Sequence, residues 1–600
     1  MDILLISGLD FTANNGAEYQ IGQGILHRIV SAKYESKMIN FDALHHSGEL
    51  PHRETIEETL EIMADYLASF APRIAGFYTI CNSFITVVEL AGRLHERCPE
   101  TRIVFGGPHA SVTAEACLNA FPYLDAVCRG ESEHTFLPFV TALLEGKDLS
   151  GISGVSFRGP EGIIETPAAP LLREEELGRY TVYERLPEHG NIIQDISLEG
   201  GRGCPYSCTF CSTSSFWERH FRIKPVDTLI AEMDRFHELY QTTKFSIQHD
   251  IFTARRSHLE EFCRKLTEKG SPYIWRCSSR VDVLGEEIIP VMYRAGCRDI
   301  YLGVETGSPR MQKILKKNLK LDEACMRVSE LVRTGIHTTV SFIYGFSEET
   351  EEDLRQTLQL MEKMYLLGCR NVQLHRFFPL PRTEEAEKVK ERLYFDENDV
   401  DLSIYNRLVI NEEGKQLIRD YPELFMQYYT FDSYNRKTYP FIEGVALMIS
   451  FAAEGFYRSC CYVLRKLGME KLYFLEEDLF RRIYYEFSDV AAAPRTREVM
   501  SRYFLEIAKR LRDPLLDEVI RFESDLYEYA LGGAKDPITK TYRVDLYRMQ
   551  HMGEFAEGET EILVWRDSGT GRLRTMILPR EGLSLQLRET GKNGCGCEGV

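Results

Sequence analysis

Twice along this chain, short apolar runs ending in glycine or a polar residue alternate with segments of helical spacing. No other feature restricts the fold as much. In residues 1–145 the runs fall at 2–7, 74–80, 102–105 and 124–129, with helical spacing at 19–31 and 86–97. The alternation resumes over 195–380, with candidate strands at 195–198, 244–248, 273–277, 299–304, 337–343 and 371–378. Strands separated by helices predict parallel sheets with helices packed on their faces. The first stretch reads as an open, doubly wound α/β layer. Six βα-like units in the second fit an open or partial barrel. In both architectures ligands lie beyond the carboxyl ends of the strands.

At roughly 150 residues per domain, 600 residues predict three or four domains. The expected divisions are an α/β domain over 1–145, a linker over 146–190, the barrel over 191–384 and a mainly helical domain over 385–600. The linker is rich in Gly, Pro and Glu, with a small hairpin at 155–164. The last domain is dense in Tyr and Phe between 421 and 485, carries a short β element after 560 and ends in a flexible tail. A chain 44% hydrophobic and 27% charged is globular, which excludes intrinsic disorder, a collagen-like chain and a disulfide miniprotein. A net charge of -19 is a poor match to nucleic acid or anionic lipid. The apolar run at 445–453 is too short to span a bilayer, and no secretory signal is visible. These features predict a soluble, cytoplasmic protein without nucleic-acid or membrane partners.

Most of the 16 cysteines stand alone in apolar or mixed contexts and read as small buried hydrophobes. Two groupings depart from that pattern: Cys595 with Cys597 in the tail, and Gly200-Gly-Arg-Gly-Cys-Pro-Tyr-Ser-Cys-Thr-Phe-Cys211. The second places three cysteines at C-x3-C-x2-C in a loop just after a predicted strand. Three neighbouring thiolates form a soft-metal site. Structural zinc normally takes four ligands in paired C-x2-C units, and His220 is poorly spaced to be the fourth. A four-iron cubane held by three cysteines leaves one iron open to a substrate. Buried thiols, zinc and an open cluster are the alternatives, and the spacing favours the last.

This loop, with Phe210 as its aromatic, resembles the signature of the radical S-adenosylmethionine (SAM) superfamily, and the resemblance extends over residues 195–380. It implies a partial (β/α)6 barrel, a [4Fe-4S] cluster on Cys204, Cys208 and Cys211, and SAM chelated by the open iron with Phe210 near its adenine. Other stretches resemble the family's SAM-binding strands. The run from Tyr301 to Gly307 implies a polar contact from Glu305, and that from Trp275 to Asp282 implies contacts from Ser278 and Arg280. The run from Phe245 to Phe252 resembles a strand end that often reads Asp-Asp; here His249 precedes Asp250. The run from Ser341 to Thr350 implies a turn at Gly345 that passes the adenine, and Arg222 lies where related enzymes carry a basic residue. In Phe377-Phe-Pro-Leu-Pro-Arg-Thr383, Arg382 replaces the glycine of a Pro-Gly-Thr ending.

Residues 1–145 resemble the cobalamin-binding, Rossmann-like domain that precedes many such barrels, through Phe105-Gly-Gly-Pro-His-Ala-Ser111 and Arg129-Gly-Glu-Ser-Glu133. The resemblance implies backbone contacts to cobalamin from Gly106, Gly107 and Gly130, with Thr79, His109 and Glu131 nearby. The Asp-x-His-x-x-Gly motif of the cobalamin mutases is absent, so no histidine is assigned as lower cobalt ligand. The implied activity is a cobalamin-dependent radical SAM methyltransferase. It would act on an unactivated carbon of a peptide or natural-product intermediate through a 5′-deoxyadenosyl radical and methylcobalamin, with a flavodoxin or ferredoxin as electron donor. A cyclase, a rearrangement or sulfur-chemistry enzyme without methyl transfer, and a cluster-bearing redox or binding protein are the alternatives.

Overall fold

The computed structural model describes residues 1–9, 20–51, 53, 55–181, 195–397, 410–487, 496–531, 538–551, 554–566 and 573–577. Cys595 and Cys597 lie outside these residues.

The first sheet has seven strands: β1 (Ile3–Ser7), β2 (Ser36–Asn40), β3 (Ile74–Tyr78), β4 (Arg102–Gly106), β5 (Leu124–Cys128), β6 (Val155–Gly159) and β7 (Gly162–Glu165). Their order is β2-β1-β3-β4-β5-β6-β7. The first five run parallel, in the 2-1-3-4-5 order of doubly wound sheets. Every residue of β1 is buried, as a parallel strand covered on both faces requires. The hairpin expected at 155–164 forms as β6–β7 and pairs antiparallel with β5. The first sheet thus continues to residue 165, into the stretch expected to be linker.

The second sheet contains six parallel strands in the order β15-β14-β13-β12-β11-β8. They are β8 (Ile196–Glu199), β11 (Lys244–Gln248), β12 (Ile274–Ser279), β13 (Cys297–Glu305), β14 (His337–Tyr344) and β15 (Asn371–Arg376). This is the open (β/α)6 barrel expected from the sequence. Its side chains alternate along most of the strands, with register shifts at Trp275/Arg276 and Gly303/Glu305. Leu198, Phe245, Ile247, Trp275, Ile300, Leu302, Val340 and Val372 enter one core with Leu229, Phe262 and Met361 of the helices. Their neighbours on the opposite face are polar: Ser197, Ser246, Gln248, Ser278, Thr339 and Gln373. Between β8 and β11, a two-residue antiparallel ladder joins β9 (Gly201–Arg202) to β10 (Arg222–Ile223).

Helices dominate the rest. Residues 410–438 strap both sheets: Asn411 Nδ2 donates to Glu89 Oε1 at 2.7 Å, and Arg436 Nε donates to Gly345 O at 3.2 Å. The kinked helix Ile442–Leu475 then packs on β15 and on the helix Glu351–Leu366. The expected late β element is a three-stranded antiparallel sheet: β16 (Ile538–Val544), β17 (Glu557–Arg566) and β18 (Leu573–Ile577). Its first strand begins earlier than the sequence indicated. Among the described residues, no helix is long and apolar enough to cross a membrane.

Candidate functional site

The carboxyl ends of the two parallel sheets face a shared cavity of about 770 Å³. Its N-terminal half is walled by Leu5, Gly76, Phe77, Val104 and Gly106 of the first sheet and by Gly107 and Gly130 beyond it. Its other half is walled by Cys204, Cys208, Phe210 and Cys211, and by Asp250, Ser278, Arg280 and Glu305 at the barrel strand ends.

Local hydrogen bonds set the cysteine loop. Gly203, at φ +81°, precedes it, and a Cβ there would sit 2.1 Å from His220 O. Asp250 accepts from Gly203 N at 3.0 Å and from Thr213 Oγ1 at 3.1 Å, so its carboxylate clasps both ends of the loop. Thr209 N donates to Leu315 O, and Glu385 N donates to Thr209 O. Burial pushes the Cys204 thiol up to about 11 and raises Cys208 as well. Such thiols become thiolates by binding a cation. Among the described residues no three His, Cys, Asp or Glu side chains close round a single metal ion.

The expected SAM contacts gather beside the loop. The Arg280 guanidinium lies over the Tyr206 ring at 3.8 Å, donates to Lys317 O at 2.7 Å and brings Nη1 to 3.8 Å from Cys208 Sγ. Glu305, at φ +70°, holds Lys317 Nζ at 2.9 Å. Ser278 and Phe210 line the cavity with them. Lys317 was missed by the sequence reading, because only folding carries it to the end of β13.

Four expected positions are placed elsewhere. Arg222 does not line the cavity but forks onto Glu131 behind its wall, with Nη2 to Oε1 at 2.5 Å and Nη1 to Oε2 at 2.9 Å. Gly345 donates its N–H to Glu349 and packs under Arg436. Thr79 is fully buried, where it donates to Gly106 O and accepts from Ala110 N, pinning the glycine turn from below. His109 is also buried; Nε2 bonds Leu424 O at 2.9 Å and Nδ1 meets Cys81 Sγ. Burial lowers its pKa to about 4. It serves the contact with the strap. Glu131 does line the cavity, but its carboxylate is taken by Arg222, by Arg202 and by Leu172 N. His249 is fixed as a neutral ring: it accepts from Ile251 N and bonds Arg222 O, and burial lowers it to about 4.

Residues 198–361 match the family model of the Radical SAM superfamily. An uncharacterized methyltransferase of Pyrococcus horikoshii is 29% identical over 312 residues, covering 51% of this chain and 67% of that protein. The anaerobic magnesium-protoporphyrin IX monomethyl ester cyclase of Rubrivivax gelatinosus is 27% identical over 306 residues, 49% of this chain and 55% of that one. The chain thus spans about half to two thirds of the length of these relatives. Among solved structures, OxsB, a cobalamin-dependent SAM radical enzyme with aqua-cobalamin and SAM bound, aligns with a TM-score of 0.56 at 14% identity, covering 89% of this chain and 81% of that one. The radical SAM methyltransferase TsrM from Kitasatospora setae aligns with a TM-score of 0.54 at 16% identity, covering 69% and 83%. Barrel, cysteine loop and family match together define a radical SAM domain over residues 198–361. The arrangement of a Rossmann-like sheet preceding a partial barrel is the fold shared with TsrM and OxsB.

Proposed function

We propose that this chain is a cobalamin-dependent radical SAM enzyme that methylates an unactivated carbon of a small-molecule or peptide substrate. One observation carries the reading: the three cysteines of the loop and the glycine strand ends of the Rossmann-like sheet line the same cavity. Cys204, Cys208 and Cys211 would hold the [4Fe-4S] cluster. Phe210, Ser278, Arg280 and Glu305 would surround SAM. The backbone at Gly106, Gly107 and Gly130 would meet cobalamin. When bound, these groups supply reductive cleavage of SAM, a substrate carbon radical and a transferable methyl group.

The chain's own residues position and shield. Asp250 keeps the cysteine loop closed. Arg280 places a positive charge beside Cys208, which favours a thiolate there. Phe210, Phe216 and Trp217 give the cavity an aromatic wall that keeps water from a reactive intermediate. A one-electron donor such as a flavodoxin or ferredoxin would supply the electron. We place the reaction in the cytoplasm on thiol chemistry: among the described residues all 14 cysteines are free, as a reducing compartment keeps them.

Anaerobic purification from a cobalamin-fed host, with iron, sulfide and corrinoid counted on one sample, tests the reading. About four irons and one corrinoid per chain are expected. Four irons without corrinoid, even after reconstitution, would move the protein to ordinary radical SAM chemistry. Loss of the iron–sulfur absorbance is expected when the three loop cysteines are changed together to Ala. A ring-forming reaction is the second reading, favoured by the likeness to the cyclase. Methyl transfer adds one CH2 to the product mass, whereas ring closure removes hydrogen.

A further inference from the structure

The seam between the two halves of the cavity is ionic and buried. Arg202 and Arg222 face each other across the β9–β10 ladder. Like charges at facing positions repel. Here both reach one carboxylate. Arg222 makes the fork onto Glu131 already described, and Arg202 Nη1 lies 3.3 Å from Glu131 Oε1. Arg202 continues to Glu133 Oε1 at 2.6 Å and to Glu199 Oε1 at 2.7 Å. Leu172 closes the ring, donating its N–H to Glu131 and accepting from Arg222. The side chains of Arg202, Glu131 and Glu133 are 9%, 2% and 7% exposed.

Five buried charges are a poor source of stability, because well-packed apolar residues of the same volume hold a protein together as well or better. The best-attested gain from such a network is register: a guanidinium fork accepts one alignment and rejects those beside it. The places of these residues in the chain say which register is held. Glu131 and Glu133 follow Gly130 at the end of β5, on the N-terminal wall of the cavity. Arg202 stands two residues before Cys204. The network therefore couples the glycine loop of one domain to the cysteine loop of the other.

We propose that Glu131, Glu133, Arg202 and Arg222 form a register lock that sets the separation between the corrinoid held by the N-terminal domain and the cluster held by the barrel. The inference rests on the two-cofactor reading above. These are positioning residues: they act by holding the loops that carry the cofactors.

The test compares full-length wild-type protein with E131Q and R202K, each loaded anaerobically with cluster and cob(II)alamin. Iron and corrinoid are counted first. Dipolar electron paramagnetic resonance then reads the separation between the reduced cluster and cob(II)alamin. The lock predicts near wild-type loading but a separation shifted or broadened by about 1 Å, a displacement that costs on the order of 100-fold in a positioned reaction. Loaded variants with an unchanged separation would overturn the lock and leave the two-cofactor reading intact. A wild-type protein that takes no corrinoid would overturn both. If E131Q and R202K do not fold, E133Q decides, because it removes one carboxylate and leaves the Glu131–Arg222 fork in place. A wild-type separation in E133Q would overturn the lock.

Discussion

Asp250 and Gly107 each hold a cavity loop by a means no other residue reproduces. Partial desolvation of the Asp250 carboxylate raises its pKa, and it answers two donors of the cysteine loop. In D250A the buried Gly203 N–H loses its partner at a cost of about 1–3 kcal/mol. The expected outcome is a folded protein that retains less than the wild-type iron after reconstitution, read by iron analysis and the cluster absorbance. Gly107 sits at φ +101°, ψ 177°, a region essentially restricted to glycine, and a Cβ there would lie 2.7 Å from Thr79 O. G107A should therefore cost about 1–3 kcal/mol. It should also displace the turn at the end of β4, lowering the melting temperature and corrinoid retention while iron content holds. The cysteine loop was legible in the sequence because its spacing is local. The settings of Arg222 and His109 were not. Arg222 finds Glu131 91 residues away, and His109 finds Leu424 315 residues away, and neither pairing leaves a local pattern.

At the scale of elements, the strap over 410–438 holds the two domains through buried carboxylates. Asn411 donates to Glu89 of the helix Phe84–Arg97, and Asn435 donates to Glu349 in the loop after β14. Burial pushes both Glu89 and Glu349 up to about 7. A carboxyl whose folded pKa exceeds its unfolded value of about 4.5 binds its proton more tightly in the native state. Its contribution is complete below about pH 4.5 and is lost as pH rises towards about 7. Each shift corresponds to at most about 3 kcal/mol. E89Q and E349Q keep the shape and remove the titration. Relative to wild type, both should gain stability between pH 5 and about 8, measured as the difference in denaturant midpoint. Equal midpoints across that range would mean that the strap holds its carboxylates ionised without penalty. The two parallel sheets were legible because their strands alternate with helices along the chain. The strap was not, since its helix Glu412–Asp420 is short and its apolar partners lie in the first domain.

For the whole molecule, one cavity is built from two sheets, so a ligand held on either wall faces the other domain. Its walls come from β1, β3 and β4 on one side and from the ends of β8, β11, β12 and β13 on the other. The Glu131–Arg202–Arg222 network crosses the same boundary, where unfolding either sheet would leave charges buried without partners. The two domains should therefore melt as one cooperative unit. Hydroxocobalamin at 100 times its dissociation constant should stabilise that unit by about 2.7 kcal/mol. At this size the gain raises the melting temperature by a few degrees. Calorimetry on the full chain with its cluster in place separates the possibilities. One endotherm that moves upward as a whole is expected. An endotherm that splits, with only one part responding to the corrinoid, would mean that the first sheet binds it alone and that the seam transmits nothing to the barrel.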